Sequence, residues 1–145
     1  MKFIKIFVTC ILIFTISACG GLSRKDTNAW LDEKSGHVSV NLTGEWDAGG
    51  VWTGGWGTGA FIQEGRNFSG TLGLYFAEGV VSDDKIYMVI FSGKKIYYTA
   101  LLNKTGNDIY MGKVAEKAIV DRADARGVAS HVITMKRKSD LKQNK

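Results

Sequence analysis

Between His37 and Lys136 the sequence repeats one pattern: a short run with apolar side chains at alternate or consecutive positions, then a tight polar break. His37–Trp46 alternates for ten residues, with Val38, Val40, Leu42 and Trp46 on one face and His37, Ser39, Asn41, Thr43 and Glu45 on the other. Period two over that length is the signature of a strand with one buried face. Further runs span 58–64, 67–75, 78–82, 85–92, 95–102, 108–114 and 128–136, about eight in all. The run at 85–92 is apolar on both faces. Between the runs stand Glu64-Gly65-Arg66-Asn67, Ser82-Asp83-Asp84, Ser92-Gly93-Lys94 and Thr105-Gly106-Asn107-Asp108. Such residues reverse a chain cheaply, because Gly, Asn and Asp tolerate positive φ.

This spacing predicts an all-β fold: an antiparallel up-and-down barrel of about eight strands, or a sandwich. The 18 glycines and the absence of proline fit, since glycine permits the bends and bulges that curl a sheet shut. Closure removes the edge strands that would otherwise template aggregation. One segment, 115–126, is rich in helix formers and ends at Gly127, so it is read as a short helix before the last strand or as a wide loop.

Residues 42–72 carry a further pattern. Leu42-Thr43-Gly44-Glu45-Trp46 is followed by Gly59-Ala60-Phe61-Ile62-Gln63-Glu64-Gly65 and Phe68-Ser69-Gly70-Thr71-Leu72. This opening, Gly-x-Trp followed by two strands around a glycine turn, resembles lipocalin-like and avidin-like small barrels. The resemblance implies a barrel able to hold one small ligand. All four tryptophans precede residue 57, unlike the avidin-like arrangement, which argues against biotin.

The N-terminus has a different character. Lys2 and Lys5 precede an apolar run from Ile6 to Ile16, interrupted only by Thr9, Cys10 and Thr15. A basic start, a short apolar run and small residues after it describe a secretory signal peptide. The eleven positions of the run fall short of the ~20 apolar residues that a spanning helix needs. Ile16-Ser17-Ala18-Cys19 resembles the bacterial lipobox, with Ile16 where leucine is commoner. The resemblance implies cleavage after residue 18, a diacylglyceryl group on the Cys19 thiol, and often a further acyl chain on the new amine. Each buried methylene is worth ~0.8 kcal/mol, so two or more chains anchor stably where one does not. Gly20 lacks the aspartate that often retains Gram-negative lipoproteins at the inner membrane. The expected location is thus the cell envelope, at the outer membrane if the envelope is Gram-negative. The resulting organisation is signal peptide 1–18, lipidated tether 19–36, barrel 37–136 and basic disordered tail 137–145.

Removing residues 1–18 leaves 127, enough for one core. The remaining chain holds Cys19 alone among cysteines, so no disulfide is expected. The whole chain carries +5, but two lysines lie in the signal, and residues 136–145 hold five basic residues against one acid. The body is left at −1. A nucleic-acid partner, which needs a basic face on the fold, is not expected; the tail could instead touch anionic lipid or wall polymer.

Catalytic and metal chemistry find little to work with. His37 and His131 are the only histidines, without a Cys pair or H-x-x-x-H spacing for zinc. His131 reads as a surface strand residue and Asp83-Asp84 as a turn. Gly55-Trp56-Gly57-Thr58-Gly59 lacks the last glycine of a dinucleotide loop and leads into a strand. No catalytic residue, metal or cofactor is expected. The most unusual segment is Trp46–Gly59, in which three tryptophans stand among glycines. Aromatic rings of ~200 Å² each are costly to expose unless used. Trp46, Trp52 and Trp56, with Phe61, Tyr75 and Phe91, are therefore the expected frame of a site for a small apolar ligand. The alternative is a protein-interaction module with a solid core, such as an assembly factor or an inhibitor of a host enzyme.

Overall fold

In a computed structural model describing residues 21–50 and 56–138, the turn sequences fall where strands reverse. The strands are β1 (Gly44–Gly50), β2 (Gly57–Glu64), β3 (Asn67–Leu72), β4 (Tyr75–Ser82), β5 (Lys85–Ser92), β6 (Lys95–Gly106), β7 (Ile109–Glu116) and β8 (Ser130–Arg137). They form one closed antiparallel barrel in sequence order, with β8 pairing back onto β1. Five reversals are two-residue loops, each with a positive φ near 55° at Gly65, Gly73, Asp83, Gly93 or Asp108. Glycine takes that backbone without steric cost, and aspartate is among the few side chains that tolerate it.

The register explains the alternation. Trp46, Ala48, Phe61, Phe68, Leu72, Met88, Leu102, Tyr110 and Met135 face inward, are buried and fill the interior. Curling eight strands around this core brings backbones close. A Cβ on Gly79 would lie 1.9 Å from the Tyr87 carbonyl oxygen and 2.8 Å from the Phe68 ring. On Gly112 it would lie 1.9 Å from the Leu101 carbonyl oxygen. Both are inward positions that only glycine fits.

Within the expected tether 19–36, residues 24–32 form an α-helix, α1 (Arg24–Asp32). Ser23 caps it, its Oγ accepting from the Asp26 N–H at 3.1 Å. Thr27, Trp30 and Leu31 share the buried face of the helix. Trp30 is fully buried against the outer wall of the barrel, in a second cluster with Val80, Val89, Ile96 and Ile119. This cluster accounts for the doubly apolar run 85–92: Ile86, Met88 and Ile90 fill the barrel, while Tyr87, Val89 and Phe91 lie under or beside the helix. With only Trp30 and Leu31 apolar on that face, the sequence shows no apolar period there.

Several strand boundaries also differ: the Gly73–Leu74 turn breaks the expected run 67–75, so that Tyr75 opens β4, and β6 runs on to Gly106. Within the expected strand 37–46, only Gly44–Trp46 belongs to β1; residues 37–43 cross one end of the barrel, with Val40 and Leu42 buried over it. An extended segment laid on a core shows the same period two as a strand. In 115–126, β7 continues to Glu116 and the rest is a loop holding one 3-10 turn at Ala123–Ala125. Thr99 holds that loop: its Oγ donates to the Ala118 carbonyl at 2.7 Å and accepts from the Val120 N–H at 2.8 Å. These bonds, with burial of Ala118 and Ile119, override the helix propensity. Arg137, placed in the tail by the sequence reading, ends β8; residues 139–145 lie outside the described part.

Candidate functional site at the aromatic end of the barrel

The two ends of the barrel are built differently. At the end crossed by residues 37–43, Gln63 stitches the crossing segment to β2. Its Oε1 accepts from the Leu42 N–H at 2.7 Å, and its Nε2 donates to the Val40 carbonyl at 2.8 Å. Trp46 lies beneath, donating from Nε1 to the Leu42 carbonyl at 2.8 Å. This end is sealed.

The other end carries a cluster of half-buried rings: Trp56, Tyr75, Tyr97, Tyr98 and His131. Trp56 is held by its own N–H, which donates to the Ala48 carbonyl at 2.8 Å and folds the start of β2 over the end of β1. Its ring stands edge-on to Tyr98 at 5.1 Å between centroids, with Tyr75 at 6.4 Å and His131 at 6.5 Å. Tyr75 lies 5.9 Å from Tyr98 and 5.5 Å from Tyr97. Two consecutive tyrosines reach the same cluster because the β5–β6 ladder slips there. Phe91 pairs with Ile96 and Ile90 with Tyr98, leaving Tyr97 as the extra residue of a bulge. His131 pairs across with Val114 and so faces inward, not outward as its sequence position suggested. Burial raises the Tyr98 phenol above its ordinary value of 10.0, and Tyr75, which is hydrogen-bonded to it, raises it further.

The residues singled out from sequence are dispersed over this frame. Trp56 and Tyr75 meet at the aromatic end. Trp46 is fully buried at the sealed end, and Phe61 lies deep against Phe68, with ring centroids 5.6 Å apart. Phe91 is on the outer wall, stacked on Phe76 at 5.9 Å, with the Arg24 guanidinium 4.0 Å over its ring. Trp52 and Cys19 lie outside the described residues. Tyr97, Tyr98 and His131 were missed. The Tyr-Tyr pair in the 95–102 run was visible, but its placement depends on a bulge that no local pattern announces.

Two shallower features lie on the outer wall. A largely polar cleft of about 450 Å³ runs between α1 and β2–β4, with Asn28, Asp32, Glu64 and Glu78 on its sides. A more apolar groove of about 400 Å³ is lined by Leu101, Met111 and Val132 on β6–β8 and by Val120 in the loop between β7 and β8. Among the described residues, no three His, Cys, Asp or Glu side chains stand together as a metal site, and no helix is long and apolar enough to cross a membrane.

Fold and site together define a small closed barrel with a filled interior, one sealed end and one aromatic end. No protein family, curated protein or solved structure matches the chain.

Proposed function

We propose that the protein is a lipid-anchored, non-catalytic binding module of the bacterial cell envelope, and that its binding surface is the aromatic end of the barrel. The observation that carries this reading is the contrast between the ends: Trp46 has no exposed surface, whereas Trp56, Tyr75, Tyr97, Tyr98 and His131 remain partly open. Rings at right angles with hydroxyl and imidazole groups among them suit an apolar group that carries one polar function. Side chains occupy the barrel interior, so the ligand sits at the mouth. Anchoring rests on the lipobox-like Ile16–Cys19.

Tryptophan emission titrated with a membrane-lipid extract tests the binding. A change in the native protein that Trp56→Phe abolishes supports the reading, and an unchanged spectrum in both removes it. Metabolic labelling with a palmitate analogue tests the anchor, and label persisting in Cys19→Ser would refute it.

A second reading, a protein-interaction module, draws on the outer-wall groove. Met111 and Val132 are exposed there beside Leu101 and Val120, an apolar patch on a barrel whose core is already full. Charge placed at Met111→Glu would abolish partner capture without affecting lipid-induced emission changes.

A further inference from the structure

The described chain begins toward the same end of the molecule as the aromatic mouth. Helix α1 runs down the outer wall of β4–β6, where Trp30 packs with Val80, Val89 and Ile96. Its C-terminal side meets the sealed end, where the Arg66 guanidinium donates to the Leu31 carbonyl and the Ser82 hydroxyl to the Ser35 carbonyl. Its N-terminal side meets the other end, where Arg24 covers Phe91, the penultimate residue of β5, and pairs with Glu78. Leu22 packs onto the same outer cluster. Cys19 is three residues before Leu22, and three extended residues span at most ~11 Å. Within that reach, a lipid on Cys19 would enter its bilayer on the side of the aromatic end.

That end is built as a membrane surface would require. The turn Gly73–Leu74 leaves Leu74 96% exposed at its tip, next to Tyr75, and Phe76 is half-exposed on the adjoining wall. The neighbouring turn is Gly93–Lys94, followed by Lys95, whose ammonium lies 4.6 Å over the Tyr97 ring. Lys117 completes the rim beside Glu116. At the sealed end the turn residues Asp83, Asp84 and Asp108 balance Arg66 and the flanking Lys85, Lys104 and Arg137, so that end has mixed charge and, among the described residues, no exposed aromatic rim. Tyrosine and tryptophan favour the headgroup level, lysine stems reach from apolar contacts to phosphates, and basic residues are drawn to anionic lipid.

We infer that the barrel end bearing Leu74, Trp56, Tyr75, Tyr97, Lys94 and Lys95 docks on an anionic phospholipid bilayer, so that the aromatic mouth opens onto the membrane carrying the anchor. The inference rests on lipidation of Cys19. The polar sealed end then faces away from the bilayer, and the group taken up at the mouth is part of a lipid.

The test uses the processed full-length protein reconstituted into phosphatidylcholine vesicles with or without phosphatidylglycerol. A polarity-sensitive fluorophore is placed on Leu74→Cys or, at the opposite end, on Asn107→Cys. Both positions are exposed turn residues, so folding is preserved. The Leu74→Cys label should shift to the blue and be quenched by brominated acyl chains when phosphatidylglycerol is present. That shift should be lost in high salt or with Lys94→Glu and Lys95→Glu, while the Asn107→Cys label stays aqueous throughout. Equal solvent exposure of both labels in a protein whose intact mass includes the lipid overturns the docking alone. An intact mass without lipid overturns the anchor and the docking together.

Discussion

The Arg137 guanidinium lies 4.3 Å from the Trp46 ring centroid, and together the two residues close one end of the barrel. Arg137 comes from the last residue of β8 and Trp46 from the third of β1, so the pair spans the seam where the sheet closes on itself. The same guanidinium donates to the Thr43 carbonyl at 2.8 Å and to the Asn41 carbonyl, and pairs with Asp108 at 3.1 Å. One side chain thus ties the crossing segment 37–43, the seam and the β6–β7 turn together. Tyr110 packs edge-on against Trp46, with ring centroids 5.7 Å apart.

Arg137→Ala should therefore cost about 2–3 kcal/mol, from loss of the ring contact and from two carbonyls left without a donor. Arg137→Lys should recover less than half of this, because an ammonium cannot bond two carbonyls while lying flat on an indole. Urea unfolding followed by tryptophan emission measures both. An alanine variant within 0.5 kcal/mol of the native protein, the ordinary scatter for surface substitutions, would sink the account.

How far these features could be read from sequence depends on how local each is. The turn residues, the period-two runs and the strand count are set within a few residues, and they gave the barrel and its antiparallel order. Gly44 and Trp46 were legible as an opening, but the guanidinium that covers Trp46 is 91 residues away, and Arg137 looked like the start of a basic tail. Trp30 fell within the stretch assigned to the tether, because its burial is completed by Val89 and Ile119 from elements far along the chain. The mouth was half legible: Trp56 and Tyr75 stood out, whereas Tyr97, Tyr98 and His131 reach it through a bulge and a ladder register, which are tertiary facts.

The helix supports the fold and is not a spacer. Trp30 has no exposed surface, and its Nε1 donates to Asp121 Oδ1 at 2.8 Å, while Lys34 reaches the other oxygen of that carboxylate at 2.9 Å. Trp30→Ala should destabilise the barrel by ~3–5 kcal/mol. In hydrogen exchange it should release α1 and the 117–122 loop together. Were α1 an independent tether, the substitution would leave the unfolding midpoint unchanged.

The strand glycines separate close approach from open space. Gly79→Ala places a methyl against the Tyr87 carbonyl and the Phe68 ring, an overpacking that typically costs 1–3 kcal/mol or more where backbone must move. Gly49→Ala, also in a strand, meets no atom nearer than the Thr134 carbonyl oxygen at 3.9 Å and should be nearly neutral. Melting temperatures of the two variants decide the matter. A Gly79→Ala protein as stable as the Gly49→Ala control would mean that the barrel is less tightly coiled than described.

The two raised phenols make stability fall with pH on the alkaline side. Tyr98 is raised by burial and by Tyr75. Tyr110 is raised by burial and then by Asp108 and Asp84, with Arg137 opposing. In the unfolded chain both ionise near 10.0, while in the barrel both hold their protons to higher pH. Between those values the native state binds more protons than the unfolded one, so stability falls as pH rises. The contribution is complete below about pH 10 and is lost as pH climbs through the folded values. Unfolding free energy should thus be insensitive to these groups at neutral pH and decline above pH 10. The decline should be shallower in the Tyr98→Phe, Tyr110→Phe double variant, which removes both titrations while keeping the rings. Denaturant titrations on either side of pH 10 measure the slope, and an equal decline in native and double-variant proteins would show that other groups set the alkaline limit.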